Sequence, residues 1–327
     1  IAYVDNANSG HGTAIVGTVS GTSISFGSPT VFEASLNVAD TSITFDSNSN
    51  KVVISFSDTA AGNYGTAIVG TVSGTSISFG TPTVFESAHT SHPSAVFDSN
   101  SNKVVIAYSD AGNGDYGTAI VGTVSGTSIS FGSAAVFESA AADNVAGTFD
   151  SNSNKVVILY RDNGNSSAGT AIVATVSGTS ISFGTAVVFN VGNSFNFAAA
   201  FDSNTNQVVV TYKINSGALG TAIVGAVSGT SISFGGASTY GNESAAVTFD
   251  SNSNKMVIAY GISTGGTYAS GSNATIKIIG NTSNEQSSLT AGQAYYVQTD
   301  GTLNTTAADP SVFAGTAISA TKLLVKT

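Results

Sequence analysis

A repeated sixteen-residue pattern, Gly-Thr-Ala-Ile-Val-Gly-Thr-Val-Ser-Gly-Thr-Ser-Ile-Ser-Phe-Gly, constrains the fold of this chain more than any other feature. It fills residues 65–80, and copies begin at Gly12, Gly117, Gly169 and Gly220, two of them with a single change. A second pattern, Phe-Asp-Ser-Asn-Ser-Asn-Lys, recurs between the copies with small changes. Because the copies start 51 to 53 residues apart, the chain is an array of one repeating unit.

Each unit predicts four short β-strands, which we name A to D. In the unit 41–85, strands A (Thr41–Phe45) and B (Lys51–Phe56) are rich in β-branched residues and are joined by a turn of Asp, Ser and Asn. Strands C (Thr66–Val72) and D (from Ser76–Phe79) follow, joined by a Ser-Gly-Thr turn. Four strands repeated every fifty or so residues are typical of a β-propeller blade. A stacked β-repeat fibre is the alternative.

We therefore predict an all-β fold, a β-propeller of five to seven blades with six favoured, at residues 1–280, and a small C-terminal β module or closing element at 281–327. The units are expected near 1–40, 41–93, 94–146, 147–198, 199–246 and 247–280. The sixth blade requires that Gly266–Gly280 is a worn copy of the sixteen-residue pattern. Without it, the last A–B pair would complete the first C–D pair and close five blades. Because Ile1 begins inside a repeat, we expect a fragment or processed product of a longer chain.

Aromatic residues recur at the ends of strands A and B. Strand B ends at Tyr3, Phe56, Tyr108, Tyr160, Tyr212 and Tyr260, and strand A closes at Phe45, Phe97, Phe149, Phe201 and Phe249. A single four-stranded blade has two apolar faces and buries neither alone, whereas packing blade on blade buries both. These rings are therefore predicted to pack between blades rather than to form a sugar-stacking platform.

The composition narrows the range of partners. Charged residues are only 9% of the chain and the net charge is −10, so nothing would neutralise the phosphates of a nucleic acid. No apolar run approaches the ~20 residues of a membrane span, so we predict no membrane insertion. The absence of cysteine removes disulfides and thiolate metal sites. This composition is more like that of an extracellular adhesin or a virion fibre than of a cytosolic enzyme.

The two repeated patterns resemble repeats in structural and tail-appendage proteins of marine tailed bacteriophages, notably those that infect cyanobacteria. The segments Leu289–Leu303 and Gly315–Lys322 are similar to the C-terminal endings of such proteins. The resemblance implies a virion surface or extracellular location and a role as a tail fibre or receptor-binding tip. It implies a host surface glycan or receptor and other virion proteins as partners, with a homo-oligomer as a further option. A bacterial extracellular adhesin and a purely structural fibre, decoration or assembly subunit are the alternatives.

Variation between the copies is concentrated in the B–C loops and the D–A connections, which emerge on one face of a propeller. Loops on a rigid scaffold are where binding residues usually lie. We therefore expect this face to carry the recognition site, with unselected drift of exposed loops as the alternative. The candidate ligand-binding residues are Asn63, Tyr64, His89, His92, Asn113, Asp115, Tyr116, Asn163 and Asn165.

Metal binding is weakly indicated. The A–B turns carry oxygens at alternate positions, as calcium loops do, but they lack the following glycine and the distal glutamate. The weak calcium candidates are Asp46, Asp98, Asp150, Asp202 and Asp250. His89 and His92, with His11, are more simply explained as solvated loop residues than as transition-metal ligands. We expect no cofactor, with calcium as the weak exception.

The sequence predicts no enzyme. Sialidase-type propellers need several arginines, and this chain has only Arg161. Glu33, Glu86 and Glu138 recur in register at strand ends, so they belong to the repeated scaffold rather than to a catalytic carboxylate pair. No nucleophile elbow is present.

Overall fold

A computed structural model describes residues 1–34, 38–214, 220–241 and 245–260 with their side chains, and five backbone strands between 282 and 325. The chain divides into two compact bodies, and residues 1–256 belong to the larger one. Strands dominate both bodies, which confirms the all-β prediction. The helices in the described part of the chain are single 3-10 turns, none of them long and apolar enough to cross a membrane.

Each complete unit is an antiparallel meander of four strands. In unit 2, strand A (Val38–Asp46) pairs with strand B (Lys51–Asp58), and strand B pairs with strand C (Tyr64–Ser73). Strand C pairs with Ser76–Phe79 through a two-residue turn and then with the beginning of Thr83–Asp98. Strand D therefore consists of two segments along the same edge of strand C. The predicted four-strand pattern is confirmed, with strand A starting earlier than expected.

The same order recurs in the other units. Unit 1 has strand B (Ala2–Asp5), the C segments His11–Ala14 and Gly17–Ser20, and the D segments Ser23–Phe26 and Thr30–Glu33. Strands B, C and the first D segment are Lys103–Asp110, Tyr116–Ser125 and Ser128–Phe131 in unit 3, Lys155–Asp162, Ala168–Ser177 and Ser180–Phe183 in unit 4, and Gln207–Ile214, Gly220–Ser228 and Ser231–Phe234 in unit 5. Unit 5 ends with Ser238–Gly241, and Ala245–Asp250 and Lys255–Tyr260 form an A–B pair.

Three sixteen-residue strands join successive units: Thr83–Asp98, Ala135–Asp150 and Val187–Asp202. In each, the first part pairs with strand C of one unit and the second part is strand A of the next. We call them the crossing strands. The prediction that these D–A connections are loops was wrong, since they are continuous strands, although their sequences do vary between units. They remain extended because one sheet and then the next satisfies their backbone hydrogen bonds.

The hydrophobic core lies between successive units. Between units 2 and 3, Val53 and Val69 of one sheet pack with Ile106 and Tyr108 of the next. The Tyr108 ring lies 5.2 Å from the ring of Phe85, which comes from strand D of the preceding unit. The predicted packing role of the strand B aromatics is therefore confirmed for each of them except Tyr3. The matching ring pairs are Phe32–Phe56, Phe137–Tyr160, Phe189–Tyr212 and Tyr240–Tyr260.

The rings that close strand A are less uniform than predicted. Phe97, Phe149 and Phe201 are partly buried against the inter-unit clusters, whereas Phe45 in the first strand A is 53% exposed. The sequence analysis did not identify the partner rings, which are aromatic residues of strand D that recur in register. They are Phe32, Phe85, Phe137, Phe189 and Tyr240.

The last glycine of the sixteen-residue pattern sets the approach of successive units. A Cβ atom at Gly80 would lie 1.9 Å from the carbonyl oxygen of Thr127, which belongs to the C–D turn of the next unit. The same contact joins Gly132 to Thr179 and Gly184 to Thr230. Only a residue without a side chain fits there, which explains why this glycine recurs.

The C-terminal body contains a five-stranded antiparallel sheet. Its strands are Thr282–Ser283, Ala294–Val297, Leu303–Asn304, Val312–Ser319 and Lys322–Val325. The predicted sixth copy at 266–280 and the turn at 298–302 lie outside the described residues, as do parts of the predicted loops around 35–37, 215–219 and 242–244.

Candidate functional site: the crossing face

The B–C turns and the crossing strands meet along one edge of the units, which we call the crossing face. In unit 2, Asp58 caps the 3-10 turn Thr59–Ala61, because its Oδ1 accepts hydrogen bonds from the amides of Ala60 and Ala61 at 3.1 and 3.3 Å. The chain then turns at Asn63, whose φ is 63°. The carbonyl oxygen of Asn63 accepts a hydrogen bond from the amide of Thr90 in the crossing strand at 2.9 Å.

The next two units repeat this contact. The carbonyl oxygen of Asp115 accepts from the amide of Ala142 at 2.8 Å, and that of Ser167 accepts from the amide of Ser194 at 3.1 Å. Backbone groups therefore fix the geometry of the face. Side chains along it can differ between units without loss of these hydrogen bonds.

The structure places several of the predicted binding residues beside one another on this face. Tyr64 and His89 are register partners across strands C and D of unit 2. His92 lies in a bulge of the same crossing strand, with a φ of 52°, and its amide donates to Oδ2 of Asp40 at 3.0 Å. In unit 3, Asn113 ends the 3-10 turn Ala111–Asn113 and is exposed.

The other predicted residues take equivalent positions in units 3 and 4. Asp115 has a φ of 60° and takes the place of Asn63, and Tyr116 begins strand C. In unit 4, Asn163 and Asn165 begin and end a 3-10 turn and are both exposed. The predicted set is thus spread over three units along the face rather than collected into one pocket.

The crossing strand between units 3 and 4 carries a polar network that the sequence did not reveal. Arg161 at the end of strand B forms an ion pair with Asp143 through the guanidinium Nη2 and the carboxylate Oδ2. The side-chain amides of Asn163 and Asn144 donate to the same carboxylate at 3.0 and 2.8 Å. Burial raises the pKa of Asp143, but these amides and the guanidinium outweigh it and hold the pKa below its ordinary value. Asp143 is therefore ionised at neutral pH.

Two carboxylates lie close together where successive units meet, Glu86 with Asp110 and Glu138 with Asp162. Tyr108 donates a hydrogen bond through its hydroxyl to Oε2 of Glu86 at 3.3 Å, and Tyr160 does the same to Glu138 at 3.0 Å. Burial and the neighbouring Glu86 raise the pKa of Asp110, which is only 8% exposed. Asp162 stands in the same relation to Glu138, and its pKa is raised for the same two reasons.

The calcium candidates have their oxygens engaged by their own turns. In Asp46, Oδ1 accepts from the amides of Asn48 and Ser49 at 2.9 and 3.1 Å, and Oδ2 accepts from the Ser49 hydroxyl at 2.6 Å. The equivalent carboxylates, Asp98, Asp150, Asp202 and Asp250, also accept hydrogen bonds from their own turns. Within the described ranges, no group of three or more His, Asp or Glu side chains is arranged to hold a metal ion.

Known proteins resemble this chain in fold but not in sequence. No protein-family model matches it, and no curated protein matches it. A solved triple arginine-to-alanine mutant of AofleA from Arthrobotrys oligospora aligns with 78% of this chain and 74% of its own length, with a TM-score of 0.53 at 6% identity. An exo-beta-1,3-galactanase from Phanerochaete chrysosporium, solved with beta-1,3-galactotriose, aligns with 68% of this chain with a TM-score of 0.46 at 7% identity. This chain spans 56% of that enzyme's length.

One prediction made from the sequence is corrected by this comparison. The chain was expected not to be an enzyme, but a galactanase is among the solved structures that it resembles. Because one fold can host many functions, an all-β repeat architecture gives no ground for excluding glycoside hydrolysis. The identities of 6 and 7% concern fold alone and assign neither an activity nor a ligand to this chain.

Proposed function

We propose that this chain is a recognition protein of a virion surface or tail appendage that binds a host cell-surface glycan or protein through its crossing face. The virion setting comes from the resemblance of its repeats. The recognition role comes from the distribution of side chains on the scaffold.

One observation supports recognition more than any other: the units differ where the scaffold does not require a particular side chain. The packing glycines and the strand B aromatics recur because each fills an inter-unit contact. On the crossing face, by contrast, backbone hydrogen bonds fix the geometry. The register partners there are Ser91 with Ser109 in unit 3 but Asp143 with Arg161 in unit 4. Because the fold does not fix these side chains, each unit can place different polar or charged groups on this surface for ligand binding.

We also infer that the units are the blades of a β-propeller, with six blades favoured. Four-stranded meanders, inter-unit cores and neighbouring A strands support this arrangement. The amide of Ala95, in strand A of unit 3, donates to the Ser42 hydroxyl in strand A of unit 2 at 3.0 Å. An electron cryomicroscopy or crystal structure that shows a closed ring would support the propeller, and an open stack of units would refute it.

The test of the recognition role is binding of the fluorescently labelled protein to intact candidate host cells, including marine cyanobacteria, and to polysaccharide purified from their envelopes. We expect saturable binding that alanine substitutions at Tyr64, Asn113 and Asn163 reduce. The control is Asn100→Ala, which lies in an A–B turn at the opposite ends of the strands and should leave binding intact. If no host surface binds the protein while other virion proteins bind it tightly, the recognition role is wrong and an assembly role replaces it.

A further inference from the structure

The one arginine of the chain lies in a cluster of planar side chains on the crossing face. We define the Arg161 cluster as Asp143, Asn144, Arg161, Asn163 and Phe195. Arg161 is held by Asp143 on one side, and its guanidinium carbon lies 4.8 Å from the centre of the Phe195 ring. Asn163 and Asn144 complete the hydrogen bonds to the carboxylate. The cluster thus joins two successive crossing strands with the B–C turn of unit 4.

The scaffold does not need this cluster. At the same register, unit 2 pairs Ala39 with Ser57 and unit 3 pairs Ser91 with Ser109, and both units keep the bulge and the backbone hydrogen bonds of the face. Small neutral residues therefore suffice for folding at this position. The charged pair Asp143–Arg161 occurs in unit 4, and the Phe195 ring comes from the crossing strand that leads into unit 5.

The cluster is also not saturated by the protein itself. The Nε–H group of Arg161 is buried and has no acceptor among the described residues. A buried donor without a partner costs about 1–3 kcal/mol, so the cluster is not explained by a gain in stability of the fold. About a fifth of the side chains of Arg161 and Asp143 is exposed, and Asn163 beside them is exposed. A ligand in solution can therefore reach polar atoms of these three side chains.

The charges of the cluster select a class of ligand. The guanidinium and the carboxylate balance each other, and the chain as a whole carries −10, so a polyanion gains little attraction here and is repelled at a distance. Adjacent hydroxyl groups of a sugar, in contrast, can donate to the carboxylate and accept from the guanidinium or the amide at the same time. The aromatic ring adds an apolar surface of the kind that packs against a sugar ring.

We propose that the Arg161 cluster is a binding site for a neutral saccharide with adjacent hydroxyl groups, an inference that rests on the proposed recognition role of the crossing face. Asp143, Arg161 and Asn163 supply the hydrogen bonds, and Phe195 supplies apolar contact. Units 2 and 3, which have Ala39 with Ser57 and Ser91 with Ser109 at this register, lack the site.

The test uses the whole chain on an array of neutral oligosaccharides (galactosyl, glucosyl and mannosyl) and of acidic ones (uronic and sulfated), followed by titration calorimetry with the best probe. The variant D143S/R161S gives unit 4 the pair found in unit 3. We expect its affinity for the neutral probe to fall by at least about tenfold, as expected when charge-assisted hydrogen bonds are lost. The matched control S91A/S109A alters the same register in unit 3 and should bind as the native protein does.

A second variant separates binding from folding. Asp143→Asn keeps the volume of the side chain and should still weaken binding at least severalfold, with the far-ultraviolet circular dichroism spectrum unchanged. Neutral-glycan binding that survives in D143S/R161S, or binding of acidic glycans alone, overturns the site. If host cells still bind D143S/R161S as strongly as the native protein, the site is wrong but the recognition role stands. If neither cells nor glycans bind the native protein, both are wrong.

Discussion

Replacing Gly80 by alanine puts a methyl group into the closest contact between two repeat units. The new Cβ would lie 1.9 Å from the Thr127 carbonyl oxygen and 2.9 Å from its carbonyl carbon, both of them backbone atoms. Ordinary contact begins near 3.4 Å, so units 2 and 3 must separate locally by about 1.5 Å. A backbone atom has no alternative rotamer, so the separation must be taken up by the inter-unit core.

We expect Gly80→Ala to lower the free energy of unfolding by about 2–2.5 kcal/mol. Overpacking of a close-packed contact typically costs about 1–3 kcal/mol. Against this, the loss of glycine's freedom in the unfolded chain favours alanine by about 0.4–1 kcal/mol. The upper end of the overpacking range applies because the clash is with backbone.

Ser78→Ala offers a matched control. Ser78 lies two residues before Gly80, on the strand Ser76–Phe79, and its side chain is exposed. Alanine there should therefore change the stability by less than about 0.5 kcal/mol. Urea denaturation followed by circular dichroism and tyrosine fluorescence gives both values, since the chain has eleven tyrosines and no tryptophan. If Gly80→Ala is as stable as Ser78→Ala, steric contact at this glycine does not set the unit spacing.

Three further predictions concern the polar groups of the units. Tyr160→Phe removes the hydroxyl that donates to Glu138 between units 3 and 4, and urea denaturation should show a loss of about 1–2 kcal/mol. Asp110 has a folded-state pKa above its unfolded value, so its favourable contribution is present below about pH 4 and is lost as the pH rises through the folded pKa. In urea denaturation at pH values from 4 to 7, the native protein should therefore lose stability relative to Asp110→Asn as the pH rises. A stability difference that does not depend on pH would contradict the raised pKa of Asp110. Asp98→Ala removes the acceptor of three hydrogen bonds in an A–B turn and should lower stability by about 1–2 kcal/mol equally with calcium and with chelator. A loss seen only with calcium present would instead identify Asp98 as a metal ligand.

The A–B turns and the strand B aromatics could be predicted from the sequence because they depend on local or repeated chemistry. An Asp followed by Ser and Asn between two β-branched runs forms a turn whose side chain bonds its own backbone, as Asp46 does. Tyr108 packs between units because each unit repeats the same apolar face. Neither inference requires knowledge of contacts between particular distant residues.

The crossing strands could not be predicted in this way. The segment around His89 and His92 is polar and variable, which favours a loop on local grounds. It is extended because its neighbours in space, strand C of one unit and strand B of the next, complete its hydrogen bonds. The Arg161 cluster escaped prediction for the same reason. Arg161 is 18 residues from Asp143 and 34 residues from Phe195, and it meets them only because two successive crossing strands lie beside its own strand.

The sequence by itself determined the repeating unit, its four strands and the all-β class, because strand periodicity and turn chemistry act over a few residues and the repeat multiplies their signal. Only the tertiary structure decided how closely the units approach, which polar side chains share the crossing face and where Arg161 finds its partners. Those features depend on distances between units, and a sequence pattern that is nearly the same in every unit does not encode which side chains from two different units will touch.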